Sequence, residues 1–116
     1  GYFEKVRELC DRYEIVLIID EVMTGFGRTG TNFATEQIGI EPDIITFGKG
    51  VSAGYAPLAG MIVHERLIDG LIQNSDGKFI HGYTYSGHPV AVAAALARLD
   101  LYRCDRVLEN VKEQSS

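Results

Sequence analysis

The order of apolar and polar positions along the chain predicts alternating helices and strands. Apolar residues recur at steps of three and four from Tyr2 to Tyr13, which indicates an amphipathic helix. The next run, from Ile15 to Ile19, is continuously apolar and rich in β-branched residues, which is typical of a strand covered on both faces. Pro89 precedes an alanine-rich stretch, and proline is favoured at the first position of a helix.

The rest of the chain continues this alternation. The further predicted elements are a short helix at 33–38, strands at 44–47 and 60–64, helices at 65–72 and 89–103, and a last helical segment at 105–114 with Asp105 as its N-cap. Glycine-rich loops, "TGFGRTGTN" and "GKGVSAGYAPLAG", and a polar loop, "NSDGKFIHGYTYSGH", lie between them. Helices and strands in this order predict an α/β fold with a mostly parallel sheet and flanking helices.

Composition narrows the classes of function. The chain has 116 residues, 46% of them hydrophobic, and a net charge of −5 with its lysines and arginines scattered, which argues against a nucleic-acid partner. No apolar run approaches the roughly 20 residues that span a bilayer, and no signal peptide is recognisable, so we expect a cytoplasmic protein without a membrane partner. The chain starts inside a helical pattern and stops in polar "KEQSS", so we expect a piece of a longer protein.

The two cysteines, Cys10 and Cys104, lie far apart in helical patterns and belong to no C-x-x-C motif. We therefore expect reduced thiols in the core and no zinc site. His81 and His88 flank "GYTYSG", but no third ligand accompanies them. The sequence thus predicts no bound metal.

The stretch "IVLIIDEVMTGFGRTG" admits three interpretations. "VLIIDE" resembles the Walker B element of an ATPase, but the only candidate for its phosphate loop, "FGKGV", lacks the required first glycine and the final Ser or Thr. "GFGRTG" has the letters of a dinucleotide loop, but "DEVMT" separates it from the strand and no helix is predicted directly after Gly30. An ATPase fragment remains the alternative function.

The third interpretation joins Asp20 and Lys49. Both follow predicted strands, and ligands of α/β proteins collect beyond the carboxyl ends of strands. A carboxylate at the end of a buried strand is costly unless a cation faces it, and a pyridinium nitrogen is such a cation. Lys49, between two glycines, would supply the amine for a Schiff base. The pair therefore predicts pyridoxal 5′-phosphate as the cofactor.

Three motifs in this order and spacing resemble a known family. "IIDEVMTGFGRTG", "PDIITFGKGVSAGYAPLAG" and "HGYTYSGHPVAVAAALA" are similar to the class III pyridoxal-phosphate aminotransferases of fold type I, in the branch that acts on omega-amino acids and amines. The resemblance covers nearly the whole chain. It implies that residues 1–116 are the central part of the PLP-binding large domain, without the N-terminal segment and the C-terminal small domain.

The resemblance also implies roles for individual residues. Asp20 would bind the pyridine nitrogen, and Val22 would pack on one face of the ring. Lys49 would form the Schiff base and shuttle the proton. Thr84 would hydrogen-bond the cofactor phosphate of the neighbouring subunit in a homodimer. Met23 departs from the glutamine of many members and cannot donate a hydrogen bond to the cofactor's 3-hydroxyl, which puts that contact in doubt.

The implied activity is a transamination. An amino group would move between an amine or amino acid and a 2-oxo acid through pyridoxamine phosphate, and the isolated segment is expected to be inactive. Decarboxylating or racemising relatives and a non-catalytic remnant of the fold remain open. In the loop after the first strand, Glu21 and Arg28 either form an ion pair that orders the loop or line the substrate entrance, and we favour the structural role.

Overall fold

A computed structural model describes residues 1–76 and 78–115, so Gly77 of the polar loop and Ser116 lie outside the described residues. The helices are α1 (Tyr2–Arg12), α2 (Thr35–Ile38), α3 (Glu65–Asn74), α4 (Pro89–Cys104) and α5 (Val107–Gln114). The strands are β1 (Ile18–Asp20), β2 (Ile44–Phe47) and β3 (Gly60–Val63), and a 3₁₀ turn covers Lys49–Val51. The predicted α/β alternation is confirmed.

The three strands form one sheet in the order β1, β2, β3. Strands β1 and β2 are parallel, with Asp20 opposite Thr46, as the sequence predicted. Strand β3 is antiparallel to β2, with Gly60 opposite Phe47, and so departs from the mostly parallel prediction. The connection between Phe47 and Gly60 carries only the 3₁₀ turn. An antiparallel neighbour requires no helical crossover, whereas a parallel one does.

The prediction that the first strand is covered on both faces is wrong for this structure. Strand β1 begins at Ile18, three residues later than predicted, and Ile18 is 56% exposed. The strands contact chiefly one another and not the described helices, so these helices form no extensive layer over β1. A run of β-branched residues predicts a strand that other elements cover on both faces, but in this structure β1 is largely exposed.

Helix positions agree with the periodicity to within about two residues, although one predicted cap does not. Proline occupies the start of α4, as predicted. Asp105 is the C-cap residue of α4, and Arg106, with φ of 51°, is the residue before α5, so the assignment of Asp105 as an N-cap is wrong. Both cysteines are free thiols; Cys10 is buried as expected, whereas Cys104 is exposed, so the prediction of a core thiol is wrong for Cys104. Within residues 1–76 and 78–115, no helix is both long and apolar enough to cross a membrane.

Asp43, directly before β2, connects three elements through one buried carboxylate. Its Oδ2 accepts hydrogen bonds from the Leu17 amide at 2.7 Å and from Arg7 Nη1 of α1 at 3.1 Å. Its Oδ1 accepts one from Arg66 Nε of α3 at 2.8 Å. Burial would raise the pKa of Asp43, but these donors and the nearby positive charge lower it from 3.8 to about 2. Asp43 therefore fixes α1 and α3 to the amino ends of β1 and β2.

Candidate active site

The predicted site residues Asp20 and Lys49 lie at one edge of the sheet. Asp20 is the last residue of β1, and its parallel partner Thr46 lies in β2. Lys49 follows shortly after Phe47, the last residue of β2, and begins the 3₁₀ turn. The parallel pairing thus brings both residues to the carboxyl ends of neighbouring strands, as predicted.

Asp20 is exposed, contrary to the expectation of a buried carboxylate. Its Oδ1 accepts a hydrogen bond from the amide of Val22 at 2.9 Å, which orients the carboxylate at the strand end. Val22 in turn lies close to Gly48, since a Cβ at Gly48 would be 3.5 Å from Val22 Cγ1. Val22 therefore lies next to both Asp20 and the residue before Lys49.

Lys49 has an unusual backbone conformation and an exposed side chain. Its φ is 39°, in the left-handed region that L-residues rarely adopt, and its Nζ contacts Met23 Sδ. On its other side, a Cβ at Gly50 would be 3.1 Å from Phe26 Cβ, so only glycine fits this approach without displacement. The backbone around Lys49 is therefore held closely by the loop that follows β1.

Val22, Met23 and Lys49 line a single cleft of about 450 Å³. The glycine loop, defined here as residues 25–30, contributes residues 25–28 to the lining, and Arg98 of α4 also lines the cleft. An apolar side chain, a thioether and a primary amine thus share one open concave surface. Such a surface suits a flat ring attached to the amine.

Thr84 lies elsewhere in the chain. It is exposed in the turn before α4, where the Ser86 hydroxyl accepts a hydrogen bond from the Tyr83 amide at 3.0 Å. Thr84 is outside the lining of the cleft. Its neighbours Tyr83 and Tyr85 are 77% and 80% exposed. The structure therefore does not bring Thr84 together with Asp20 and Lys49 within one chain.

Glu21 has a structural role different from the predicted one. It is 1% exposed, and its carboxylate accepts hydrogen bonds from the amides of Ala34 at 3.1 Å and Thr35 at 2.8 Å, and from the Thr24 hydroxyl. The two amides lie at the start of α2 and the hydroxyl lies in the turn after β1, so the predicted ion pair between Glu21 and Arg28 is wrong. A carboxylate occupied in this way cannot orient an attacking water, which removes the support for a Walker B element.

The glycine loop also lacks the context of a dinucleotide site. Helix α2 begins at Thr35 and not at Gly30, so no helix N-terminus faces the loop as that fingerprint requires. Gly27 and Gly30 have φ values of 94° and 87°, which residues with a side chain rarely adopt. The backbone conformation therefore accounts for these glycines without a bound phosphate. Among the described residues, no group of three or more His, Cys, Asp or Glu side chains is arranged for a metal ion.

Sequence reasoning missed Arg98. Its Nη2 donates a hydrogen bond to the Phe26 carbonyl at 3.0 Å, and its guanidinium lies 4.3 Å from the ring centroid of Tyr102 and 5.3 Å from that of Phe26. Burial lowers the pKa of Arg98, and interaction with Tyr102 opposes this shift. The available signal was an arginine and a tyrosine one helical turn apart, with the arginine following a long apolar run of the helix.

Comparisons with known proteins agree on one family. The family model described as "Aminotransferase class-III" matches residues 1–116. A probable aminotransferase of Mycobacterium tuberculosis is 47% identical over 115 residues, which cover 99% of this chain and 24% of the relative. The putrescine–pyruvate aminotransferase of Pseudomonas aeruginosa is 42% identical over 115 residues, covering 99% of this chain and 25% of the relative.

A solved structure has the same fold. The taurine:2-oxoglutarate aminotransferase from Bifidobacterium kashiwanohense, in complex with PLP and glutamate, superposes with a TM-score of 0.89 at 46% identity, covering 98% of this chain and 25% of that one. The chain thus spans about a quarter of the length of the relatives that it matches.

Proposed function

The chain belongs to the class-III aminotransferase family, and we propose that residues 1–116 are the central part of the pyridoxal-phosphate-binding large domain of a transaminase. The observation that carries this proposal is the arrangement at the carboxyl ends of the parallel strands β1 and β2. There, Asp20 is oriented by Val22, and Lys49 shares a cleft with Val22. This arrangement provides an apolar side chain and an amine in one cleft, and an anion that lies outside the cleft lining but accepts a hydrogen bond from Val22.

We propose that these three residues bind the cofactor. Asp20 would accept a hydrogen bond from the protonated ring nitrogen, Val22 would contact one ring face, and the Lys49 amine would attach covalently. When bound, pyridoxal phosphate supplies an electron sink for the carbon next to the transferred nitrogen. Lys49 has the flexible stem needed to carry a proton within the cleft. Its exposed side chain leaves the amine free to reach both cofactor and substrate.

Met23 would distinguish this site from family members with glutamine at the same position. Its sulfur contacts Lys49 Nζ, and a thioether is only a weak acceptor. We therefore propose that the cofactor's 3-hydroxyl has no hydrogen bond from this position. The motif "DEVMTGFGRTG" resembles the omega-amine branch of the family, in which methionine at this position would be compatible with cofactor binding.

For substrates, we propose an amine or omega-amino acid as donor and a 2-oxo acid as acceptor. One relative is named for putrescine and pyruvate and another for taurine and 2-oxoglutarate, so each of these names combines an amine-bearing donor with a 2-oxo acid. We further propose a cytoplasmic homodimer in which Thr84 reaches the phosphate of the neighbouring subunit's cofactor. The exposed position of Thr84 between two exposed tyrosines supports this part. The isolated segment, with β1 largely exposed, is expected not to transaminate.

The test uses the full-length protein that carries this sequence, with added pyridoxal phosphate. The wild type should give the visible absorbance band of a lysine-bound cofactor and should transfer an amino group from a diamine to pyruvate. Lys49→Ala should lose both the band and the transfer. Lys78→Ala, which changes an exposed lysine in the polar loop, is the matched control and should keep them. A band of normal intensity in Lys49→Ala would refute the proposal.

A further inference from the structure

We propose that Arg98 is a positioning residue for Lys49, acting by holding the glycine loop against the 3₁₀ turn that begins at Lys49. This inference rests on the proposed function of Lys49. Arg98 itself contacts neither a reacting group nor Lys49 in the described contacts. Its influence passes through Phe26, which lies between them.

The first step is the contact between Arg98 and Phe26. The guanidinium donates to the Phe26 carbonyl at 3.0 Å and lies between the rings of Phe26 and Tyr102. Its Nη1 is buried and has no hydrogen-bond partner among the described atoms. Arg98 is thus held by a loop carbonyl and two aromatic faces, and no carboxylate contributes to its described hydrogen bonds or ion pairs. This is the arrangement expected of an arginine that binds the loop itself.

The second step is the contact between Phe26 and the turn of Lys49. Gly50 approaches Phe26 so closely that an added Cβ would be 3.1 Å from Phe26 Cβ and 3.3 Å from the Gly25 carbonyl oxygen. Phe26 also packs edge to face on Phe47, the last residue of β2, with ring centroids 5.6 Å apart. A displacement of Phe26 would therefore be transmitted to the residues on both sides of Lys49.

The third step is the backbone conformation of one residue in each of these two segments. Phe26 and Lys49 have φ values of 57° and 39°, both in the left-handed region. Residues other than glycine persist there only when their surroundings hold them. The Phe26 amide donates to the Asn32 carbonyl at 2.6 Å, and its carbonyl accepts from Arg98. Arg98 thus supplies one of the two hydrogen bonds that hold Phe26 in this conformation.

Tyr102 reinforces the same contact from the next turn of α4. Its hydroxyl donates to Asn32 Oδ1 at 3.2 Å, and a Cβ at Gly27 would be 2.9 Å from its ring. Helix α4 therefore holds the glycine loop at two successive turns. Arg98 lies in the turn nearer to Phe26, and through its contact with Phe26 it determines the position of the Lys49 backbone.

The test compares Arg98→Met, Arg98→Lys and Arg103→Met in the full-length holoenzyme. Arg103 lies in the same helix and is exposed, so its variant is the matched control. Arg98→Met should move the pH midpoint of the visible cofactor band by about half a unit or more, which is about a threefold change in proton affinity. It should also lower kcat about tenfold while KM for the amine changes less than about twofold, because the lysine is displaced and the substrate contacts are not.

Arg98→Lys should recover part of both effects, because an ammonium can still donate to the Phe26 carbonyl. In the cofactor-free protein, amide hydrogen exchange at residues 48–52 should be faster in Arg98→Met than in Arg103→Met. If Arg98→Met does not fold, the same readouts in Arg98→Lys and Tyr102→Phe decide, with smaller shifts of the midpoint expected in both.

A lower melting temperature with an unmoved midpoint, unchanged kcat and unchanged exchange at residues 48–52 would overturn the inference, since Arg98 would then be merely structural. Equal shifts in Arg103→Met would overturn it as well. A wild type without the visible band would instead refute the proposed function of Lys49, and the inference with it. The two failures are therefore distinguishable.

Discussion

The charged side chains at the two ends of strand β2 differ in burial and in hydrogen bonding. Before the strand, the Asp43 carboxylate is buried and accepts hydrogen bonds from a backbone amide and two arginines. Beyond its other end, Lys49 and the neighbouring Asp20 are exposed, and Asp20 accepts a single described hydrogen bond, from Val22. Charges satisfied within the chain hold the fold, whereas charges left open at the carboxyl edge are available to a ligand.

Among substitutions at the two ends of β2, we expect Asp43→Asn to have the largest effect on stability. The change leaves Arg7 and Arg66 without their shared carboxylate, and the free energy of unfolding should fall by about 3 kcal/mol. Urea unfolding of the full-length protein measures it. Asp11→Asn, which removes an exposed partner of the same Arg7, is the control and should cost less than about 1 kcal/mol. Equal losses in the two variants would contradict the structural role of Asp43.

The second expected effect is a pH dependence from the same carboxylate. Because folding lowers the pKa of Asp43 from 3.8 to about 2, its contribution to stability is present above pH about 4 and is lost as pH falls towards 2. The loss should amount to about 2 kcal/mol. Urea midpoints measured between pH 5 and 2 should fall less steeply in Asp43→Asn than in the wild type. Parallel profiles would show that Asp43 titrates normally in the folded protein.

The smallest effect on stability is expected at the other end, from Asp20→Asn. Its carboxylate is exposed, so the free energy of unfolding of the cofactor-free protein should change by less than about 0.5 kcal/mol. The dissociation constant for pyridoxal phosphate should nevertheless rise about tenfold or more, because a charged hydrogen bond to the ring nitrogen is lost. Fluorescence titration with the cofactor measures this rise. Unchanged affinity would remove Asp20 from the proposed site.

The sequence predicted the elements and the edge at which the site lies, because both depend on local patterns. The apolar run before Asp20 and the "IITF" segment before Lys49 are adjacent along the chain to the residues that they position. Three sequence motifs indicated the family, and the family model confirms it over residues 1–116.

What the sequence did not predict depends on partners far apart in the chain. Asp43 accepts hydrogen bonds from Arg7 and Arg66, and Arg98 donates one to a carbonyl 72 residues away. Local spacing in the sequence does not predict such pairs. The direction of β3, by contrast, had a local signal, because the glycine-rich connection to it lacks the crossover helix that a parallel neighbour requires. The exposure of β1 was missed because a β-branched run predicts an extensive covering layer that the described helices do not form.

The most direct test of the account is to locate the covalent attachment of the cofactor. The full-length protein is loaded with pyridoxal phosphate, reduced with borohydride, digested and mapped by mass spectrometry. The account predicts a reduced cofactor adduct on the peptide that contains Lys49, at close to one per chain, and none on Lys5, Lys78 or Lys112. An adduct on another lysine, with Lys49 unmodified, would contradict it.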